Sequence, residues 1–166
     1  DLSVRDNIMS IYLNSRAFTK GALLDMKKVN EYVDQCIKDY EIKCDSPDDP
    51  VRLLSGGNIQ KVVVAREFTC GSNLIVASQP TRGIDVGTSE MIRKTLIRKA
   101  RQDDVATLLI SSDLNEVLEV SDRLLVIYKG QFVAHFTKPS EISEELLGEY
   151  MLGNRRMSEQ EMGEYV

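Results

Sequence analysis

The chain has 166 residues, a formal net charge of −5 and an apolar fraction of 42%, which fits one folded domain and argues against extended disorder. Its acidic pI near 5.0 excludes the basic surface with which proteins bind nucleic acid or anionic membranes. No apolar run is long enough to cross a bilayer. The first residue is Asp1 rather than Met, and no signal-peptide pattern follows it, so we expect a piece of a longer protein.

Residues 1–53 are predicted to be helical with breaks. Apolar side chains recur at helical spacing between Val29 and Tyr40, behind Asp25 as a helix cap. The stretch Asp45–Pro50 holds two prolines and three aspartates and is predicted to be a loop.

After this loop the pattern alternates between helices and strands. Helices are predicted at 55–69, 88–101, 114–120 and 143–152, and strands at 74–77, 107–110, 124–128 and 132–136. The first two strands are apolar throughout, which is typical of strands covered on both faces. Lys129 and Gly130 predict a hairpin between the last two strands. The prediction is an α/β fold with a mostly parallel sheet, an antiparallel edge hairpin and a polar, frayed tail from residue 153.

The cysteine and histidine content limits the chemistry that the chain can perform. Cys36, Cys44 and Cys70 are odd in number and form no Cys-x-x-Cys pair, which favours free thiols in a reducing cytoplasm. His135 is the only histidine and lies in a strand-like run. A histidine-based triad or a zinc site is therefore not expected.

The strongest local indication of a functional site is the segment Leu54–Gln60, in which Ser55 precedes two glycines at a predicted helix start. Glycines allow close approach to the backbone, and the free N–H groups of a helix N-terminus attract anions such as phosphate. On its own this signal is weak, because a Ser-Gly-Gly turn often serves only to cap a helix.

Further segments follow this one in a fixed order. They are the strand at 74–77, Pro80–Gly87, Ser111–Asp113 and Ser121–Arg123. The order and spacing resemble the ATP-binding cassette (ABC) ATPases of transporters. More narrowly, the sequences of three segments resemble the second, C-terminal cassette of the fused ATPases of bacterial importers for simple sugars and nucleosides. These segments are Asp1–Arg5, Leu54–Asn58 and Pro80–Gly87. The resemblance runs from residue 1 to about residue 155.

This resemblance implies a partial P-loop NTPase fold. Residues 1–53 would be the helical subdomain, residues 54–152 the C-terminal part of the ATPase core, and residues 153–166 the polar tail. No glycine is followed by lysine, so the chain has no Walker A motif, which the family would place upstream of residue 1.

The resemblance also assigns candidate ATP-binding residues. Ser55, Gly56 and Gly57 match the signature motif, which in the family contacts the γ-phosphate of ATP bound to the opposite cassette. Gln60 belongs to the same segment and is a candidate contact to that ATP. Asp85 falls in the loop that crosses the interface between cassettes.

Three positions depart from the family pattern. Ser78 stands where an aspartate would hold Mg²⁺, and Ser112 stands where a histidine would contact the γ-phosphate. Gln79 stands where a glutamate would activate water, and loss of a general base costs about 10²–10⁴-fold in rate. We therefore expect degenerate catalytic positions, no ATP hydrolysis by the chain alone, and ATP with Mg²⁺ only in the full-length assembly.

The expected function is part of the ATP-binding subunit of an importer, on the inner face of the bacterial membrane. Its expected partners are an upstream cassette and the transmembrane permease, which residues 1–53 would face. A DNA-repair ATPase would show coiled-coil heptads and a basic surface, and the sequence has neither. A noncatalytic interaction domain that keeps the cassette fold remains an alternative.

The missing P-loop strand should leave the sheet incomplete, because in the cassette fold it lies between the strands at 107–110 and 124–128. Proteins rarely leave strand edges bare. We expect direct pairing of these two strands, a domain-swapped dimer or low stability.

Overall fold

The computed structural model of the protein describes residues 1–13, 15–21 and 23–163. The chain forms two compact units, of which the first comprises Asp1–Ile75 and Pro80–Leu108 and the second Val76–Gln79 and the residues from Leu109 onward. In the first unit the helix after Ser55 packs on the first helix of the chain.

The described residues of the first unit contain four α-helices. They are α1 (Val4–Met9), α2 (Met26–Asp39), α3 (Gly56–Thr69) and α4 (Val86–Gln102). Short 3₁₀ turns at Ser10–Tyr12, Arg16–Phe18 and Val51–Leu53 and a small hairpin of β1 (Thr19–Lys20) and β2 (Leu23–Leu24) interrupt the helical part. The hairpin was not predicted from the sequence, since each of its strands has only two residues.

The first unit is held together by fully buried aliphatic side chains. Val4 and Ile8 of α1, Val33 of α2 and Ala65 of α3 are all at 0% exposure. Burial of a valine or isoleucine side chain contributes about 1.5–3 kcal/mol. This packing fixes α3, and with it the segment at residues 54–60, relative to the N-terminal helices.

The predicted loop at Asp45–Pro50 is confirmed, and it anchors the start of α1. The Val4 N–H donates to the Asp49 carbonyl (3.0 Å), and the Arg5 guanidinium lies 2.7 Å from the Asp48 carboxylate. The first-turn N–H groups of a helix have no acceptors within that helix, and here carbonyl groups of the loop act as acceptors.

Three aromatic rings form a cluster in the first unit. The centroids of Tyr12 and Phe18 lie 5.2 Å apart, and that of Tyr32 lies 5.3 and 5.0 Å from them. The Tyr32 hydroxyl donates to the Tyr12 oxygen (3.0 Å), and the Tyr12 hydroxyl donates to the Thr69 carbonyl. The cluster therefore ties α2 to the C-terminal end of α3.

The buried tyrosines predict a loss of stability at alkaline pH. Burial raises the pKa of Tyr40 to about 12, against the opposing charge of Arg98, whereas an unfolded tyrosine ionises near pH 10. Between these values the folded chain holds the proton more tightly than the unfolded chain, so stability is full below about pH 10 and falls as the pH rises towards 12. Urea denaturation at about pH 9 and about pH 11.5 should show a lower midpoint at the higher pH.

Tyr40→Phe is the matched control for this effect, because it keeps the ring and removes the titrating group. The difference between the two midpoints should shrink in this variant but not vanish, since burial also raises the pKa of Tyr32. Equal midpoints at both pH values in the unmodified chain would contradict the prediction.

The strands β3 (Leu74–Ser78) and β4 (Ala106–Ile110) form a two-stranded parallel sheet. The Ala106 N–H donates to the Asn73 carbonyl (3.0 Å) at one end, and the Gln79 N–H donates to the Ile110 carbonyl (2.7 Å) at the other. The carboxyl ends of both strands thus lie side by side.

The prediction that these strands are covered on both faces is wrong. Leu74 and Val76 are 56% and 59% exposed, and Leu108 and Ile110 are 53% and 49% exposed. The apolar pattern is that of a doubly covered strand, but in the described part of the chain the side chains on the second face are about half exposed.

The second unit is built on an antiparallel hairpin, as predicted. Its elements after β4 are α5 (Leu114–Val120), β5 (Leu124–Tyr128), β6 (Gln131–Phe136), α6 (Glu144–Met151) and α7 (Glu159–Gly163). Lys129 and Gly130 both have positive φ, 47° and 77°, the geometry of a tight hairpin turn. Val126, Val133 and Leu147 form the core of this unit, and His135 lies in β6, as predicted.

Direct pairing of the strands at 107–110 and 124–128, one of the three expected outcomes, does not occur. Over the described residues β4 is hydrogen-bonded to β3, and β5 is hydrogen-bonded to β6. Both the parallel sheet and the hairpin therefore keep an edge that no other strand of the described residues occupies.

The expectation of a frayed tail from residue 153 is also wrong for residues 153–157, which are held by backbone hydrogen bonds. Gly153 has a φ of 76°, and the Asn154 N–H donates to the Glu149 carbonyl (3.0 Å), which is a Schellman-type end to α6. The Met157 N–H then donates to the Val133 carbonyl (2.9 Å), so this segment packs along β6. Residues 164–166 of the predicted tail lie outside the described residues.

Candidate functional site

The N-terminus of α3 carries the predicted phosphate-binding turn. Ser55 is the N-cap, and its hydroxyl oxygen accepts hydrogen bonds from the Asn58 N–H (3.5 Å) and the Asn58 amide Nδ2 (2.9 Å). Because that oxygen accepts from Asn58, its own hydrogen is left to donate outward. Ser55 and Gly56 are exposed, and the first N–H groups of a helix have no acceptor within it. The turn thus offers donors to an anion.

Asn58 supports this turn, a role that the sequence analysis missed. Its Oδ1 accepts from the Lys43 N–H (2.8 Å) while its Nδ2 donates to Ser55. One turn further along α3, the Lys61 ammonium donates to the Glu41 carbonyl (3.0 Å). The segment that follows α2 is thereby bound to the first turns of α3.

Gly57 lies against the N-terminus of α4. A Cβ atom placed on Gly57 would lie 2.7 Å from Asp85 Oδ2 and 3.1 Å from Thr88 Oγ1, whereas one placed on Gly56 would meet nothing within 4 Å. The two glycines of the turn are therefore not equivalent. Only Gly57 is required by a close approach within the chain.

Asp85 is the N-cap of α4. Its carboxylate accepts from the Thr88 N–H (2.9 Å) and the Thr88 hydroxyl (2.8 Å). These two hydrogen bonds, together with the positive charge of Lys61, hold the pKa of Asp85 below its usual value. The group is ionised at neutral pH and carries a fixed negative charge beside the first turn of α3.

Gln60 contacts the loop that precedes α4. Its amide Nε2 donates to the Pro80 carbonyl (3.0 Å), so part of its hydrogen-bonding capacity is used within the chain. The structure brings Ser55, Gly57, Gln60 and Asp85 into the same compact unit.

The three departures from the family pattern lie at the carboxyl ends of β3 and β4, in the second unit. The hydroxyl and the N–H of Ser112 lie 3.3 and 3.5 Å from Gln79 Oε1, and Gln79 has a φ of 49°. Ser78 is exposed at the end of β3.

This end of the sheet does not fit a metal ion. The side chains at 78, 79 and 112 carry no charge, and Mg²⁺ prefers carboxylate ligands. Across the described residues there is no group of three or more His, Cys, Asp or Glu side chains that could hold a metal ion. None of their helices is long and apolar enough to cross a membrane, and the three cysteines are free thiols.

The architecture is that of an ATP-binding cassette, which confirms the predicted fold. A dimeric ATP-binding cassette solved in a post-hydrolysis state with ADP and Pi matches with a TM-score of 0.69 at 22% identity, over 82% of this chain and 56% of that chain. An ATP-binding cassette of an ABC transporter matches with a TM-score of 0.69 at 22% identity, over 92% of this chain and 62% of that chain.

Sequence comparison identifies homologues among import proteins. The chain is 36% identical over 155 residues to a glucose import ATP-binding protein of Haloferax volcanii and 41% identical over 131 residues to a ribose import ATP-binding protein of Bacillus subtilis. It is 36% identical over 153 residues to a nucleoside import ATP-binding protein of Lactococcus lactis subsp. cremoris. These matches cover 92%, 79% and 92% of the chain.

The chain is much shorter than these relatives. It spans 28%, 26% and 30% of their respective lengths. No model of a known protein family matches it. The predicted resemblance to ATP-binding proteins of sugar and nucleoside importers is confirmed by these homologues.

Proposed function

We propose that the chain is part of the ATP-binding subunit of an ABC importer for simple sugars or nucleosides, and that it supplies its signature turn in trans to ATP held by another cassette. The observation that carries the proposal is the exposed N-terminus of α3, where Ser55 offers its hydroxyl hydrogen beside the free N–H groups of Gly56 and Gly57. The names of the homologues supply the solute class.

In this proposal the turn binds and orients the terminal phosphate of ATP, whose phosphoanhydride bond is the energy source. The Ser55 hydroxyl and the backbone N–H groups donate to phosphate oxygens, and the dipole of the 14-residue helix α3 adds favourable charge. Gln60 is a further contact to the nucleotide, and the loop at Asp85 faces the partner cassette.

The chain's own catalytic positions would not support hydrolysis. The Ser78 hydroxyl replaces a metal-binding carboxylate, and the Gln79 amide cannot take a proton from water. Ser112 donates to Gln79 and has no ring nitrogen for a phosphate. The proposal therefore assigns the chain one role, to complete a site whose other half lies on the partner.

The proposed partners follow from this division of roles. An upstream cassette carries the Walker A motif that this sequence lacks, and Mg²⁺ binds there with ATP. The transmembrane permease contacts residues 1–53, which places the assembly on the cytoplasmic face of the membrane.

The replacement Gln79→Ala tests the proposed division of roles. In the full-length protein, reconstituted with its permease, the ATPase rate should stay within about threefold of the unmodified rate, because Gln79 serves a site without a metal ligand. Gln79→Glu should not create a second active site, since positions 78 and 112 remain neutral. Steady-state ATPase assays measure both variants.

Ser112→Ala is the matched control, because it removes the hydroxyl contact to Gln79 from the other side and leaves the backbone N–H contact. Both alanine variants should behave alike. If Gln79→Ala lowers the rate as far as a change in the signature turn does, Gln79 takes part in catalysis and the proposal is wrong.

The three neutral positions also favour a second candidate, a noncatalytic interaction domain that keeps the cassette fold. ATP affinity of the full-length protein separates the two candidates. Under the import proposal Ser55→Ala weakens ATP binding measured by calorimetry, and under the second candidate it leaves the dissociation constant unchanged.

A further inference from the structure

The first turn of α3 is attached at two points to the segment between β3 and α4. Gly57 packs against the Asp85 carboxylate, within a distance that excludes a Cβ atom, and the Gln60 amide donates to the Pro80 carbonyl (3.0 Å). Residues three apart on a helix share a face, so both contacts leave α3 on the same side. They hold the two ends of the segment at residues 80–85.

The Asp85 carboxylate cannot move aside easily. Both of its oxygens accept hydrogen bonds from Thr88, and Thr88 is buried at 5% exposure. A rotation that freed space for a side chain at position 57 would break the N-cap of α4, and an N-cap is a stabilising feature of a helix.

We propose that Asp85 and Thr88 are positioning residues that form a stop for Gly57, so that the segment at 80–85 and the first turn of α3 move as one body. Position 57 is then glycine because of a contact within the chain, independently of any nucleotide. The inference rests on the proposed function only for its consequence, that the position of Asp85 sets the position of the phosphate-binding turn.

The consequence is mechanical. The segment at 80–85 contains the loop that the proposed function directs at the partner cassette. The Asp85 carboxylate is held by two hydrogen bonds from Thr88 and lies against Gly57, so a shift of Asp85 moves Gly57 with it. Approach of the partner would then adjust the donors at Ser55 and Gly56 for phosphate.

The experiment compares Gly57→Ala, Asp85→Ser and the double variant in the full-length protein. Gly57→Ala should lower the melting temperature by at least about 3 °C, since its Cβ would lie 2.7 Å from Asp85 Oδ2 and must displace a hydrogen-bonded carboxylate. It should also raise KM for ATP at least about fivefold, because displaced donors bind less tightly. Serine at position 85 remains a good N-cap but lacks the oxygen that a Cβ atom at position 57 would strike.

Adding Asp85→Ser to Gly57→Ala should therefore bring both quantities most of the way back to the values of Asp85→Ser alone, because only the 3.1 Å approach to Thr88 Oγ1 remains. Gly56→Ala is the matched control for melting temperature only, and it should melt within about 1 °C of the unmodified protein or above it, because alanine favours the helix. Equal melting temperatures of the Gly57→Ala and Gly56→Ala variants would overturn the proposed stop. A double variant with a melting temperature no higher than that of Gly57→Ala would also overturn it.

The two proposals fail in different ways. If the unmodified full-length protein hydrolyses no ATP, the proposed function fails while the melting temperatures still decide whether the stop exists. If the double variant regains the melting temperature but not the KM for ATP, the stop exists, and the claim that it determines the position of the phosphate-binding turn is wrong.

Discussion

Replacing Gly57 with aspartate should lower the ATPase rate of the full-length protein at least tenfold, the largest effect that we expect from one change. Under the proposed function a carboxylate at this position would lie near the terminal phosphate, and like charges about 4 Å apart repel by about 4 kcal/mol at an effective dielectric constant of about 20. The structure adds a second cause. The new side chain would begin 2.7 Å from Asp85 Oδ2, so it meets an ionised carboxylate within its own chain.

Gly57→Asn separates charge from volume, because asparagine has nearly the same shape and no charge. Both variants should lose activity through collision with Asp85, and the aspartate variant should be the worse of the two. Steady-state ATPase assays measure the rates, and circular dichroism establishes that both variants fold. A folded Gly57→Asp protein with an unchanged rate would refute the assignment of this turn to phosphate binding.

Ser55→Ala should also lower the ATPase rate at least tenfold. Under the proposed function it removes a hydrogen bond to a charged phosphate, worth about 1.5–3 kcal/mol, and tenfold in rate corresponds to about 1.4 kcal/mol. The structure shows that the same hydroxyl caps α3, and loss of an N-cap typically costs about 1 kcal/mol of stability. Activity and stability should therefore both fall.

Ser143→Ala controls for the loss of a cap. Ser143 caps α6 in the same manner, by accepting from the Leu146 N–H (3.2 Å), and it lies in the other compact unit. The two variants should lose similar stability, and only Ser55→Ala should lose ATPase activity. If both retain the same rate, the Ser55 hydroxyl has no part in phosphate binding.

Local sequence patterns predicted most of the regular structure. The helix predicted at 55–69 is observed as Gly56–Thr69, and the hairpin around Lys129 and Gly130 has the positive φ angles that its turn requires. Both depend on interactions between residues close in the chain, such as an N-cap or a tight turn. The hairpin at residues 19–24 escaped prediction because strands of two residues show no periodicity.

Contacts between distant residues could not be predicted in this way. The close approach of Gly57 to Asp85 joins two helix starts that belong to different motifs in the sequence, and only the packing of α3 beside α4 reveals it. The same limit applies to Asn58, whose amide joins Lys43 to Ser55. The burial of β3 and β4 was overestimated. An apolar pattern shows that a strand is able to pack on both faces, but it does not show that another element covers each face.

The aromatic cluster at Tyr12, Phe18 and Tyr32 gives the protein a built-in optical probe. The sequence contains no tryptophan, so its near-ultraviolet circular dichroism comes chiefly from tyrosine and phenylalanine, among them these three rings about 5 Å apart. A single tryptophan in place of Phe18 would then fluoresce from the first compact unit alone. Its emission would report the unfolding of that unit.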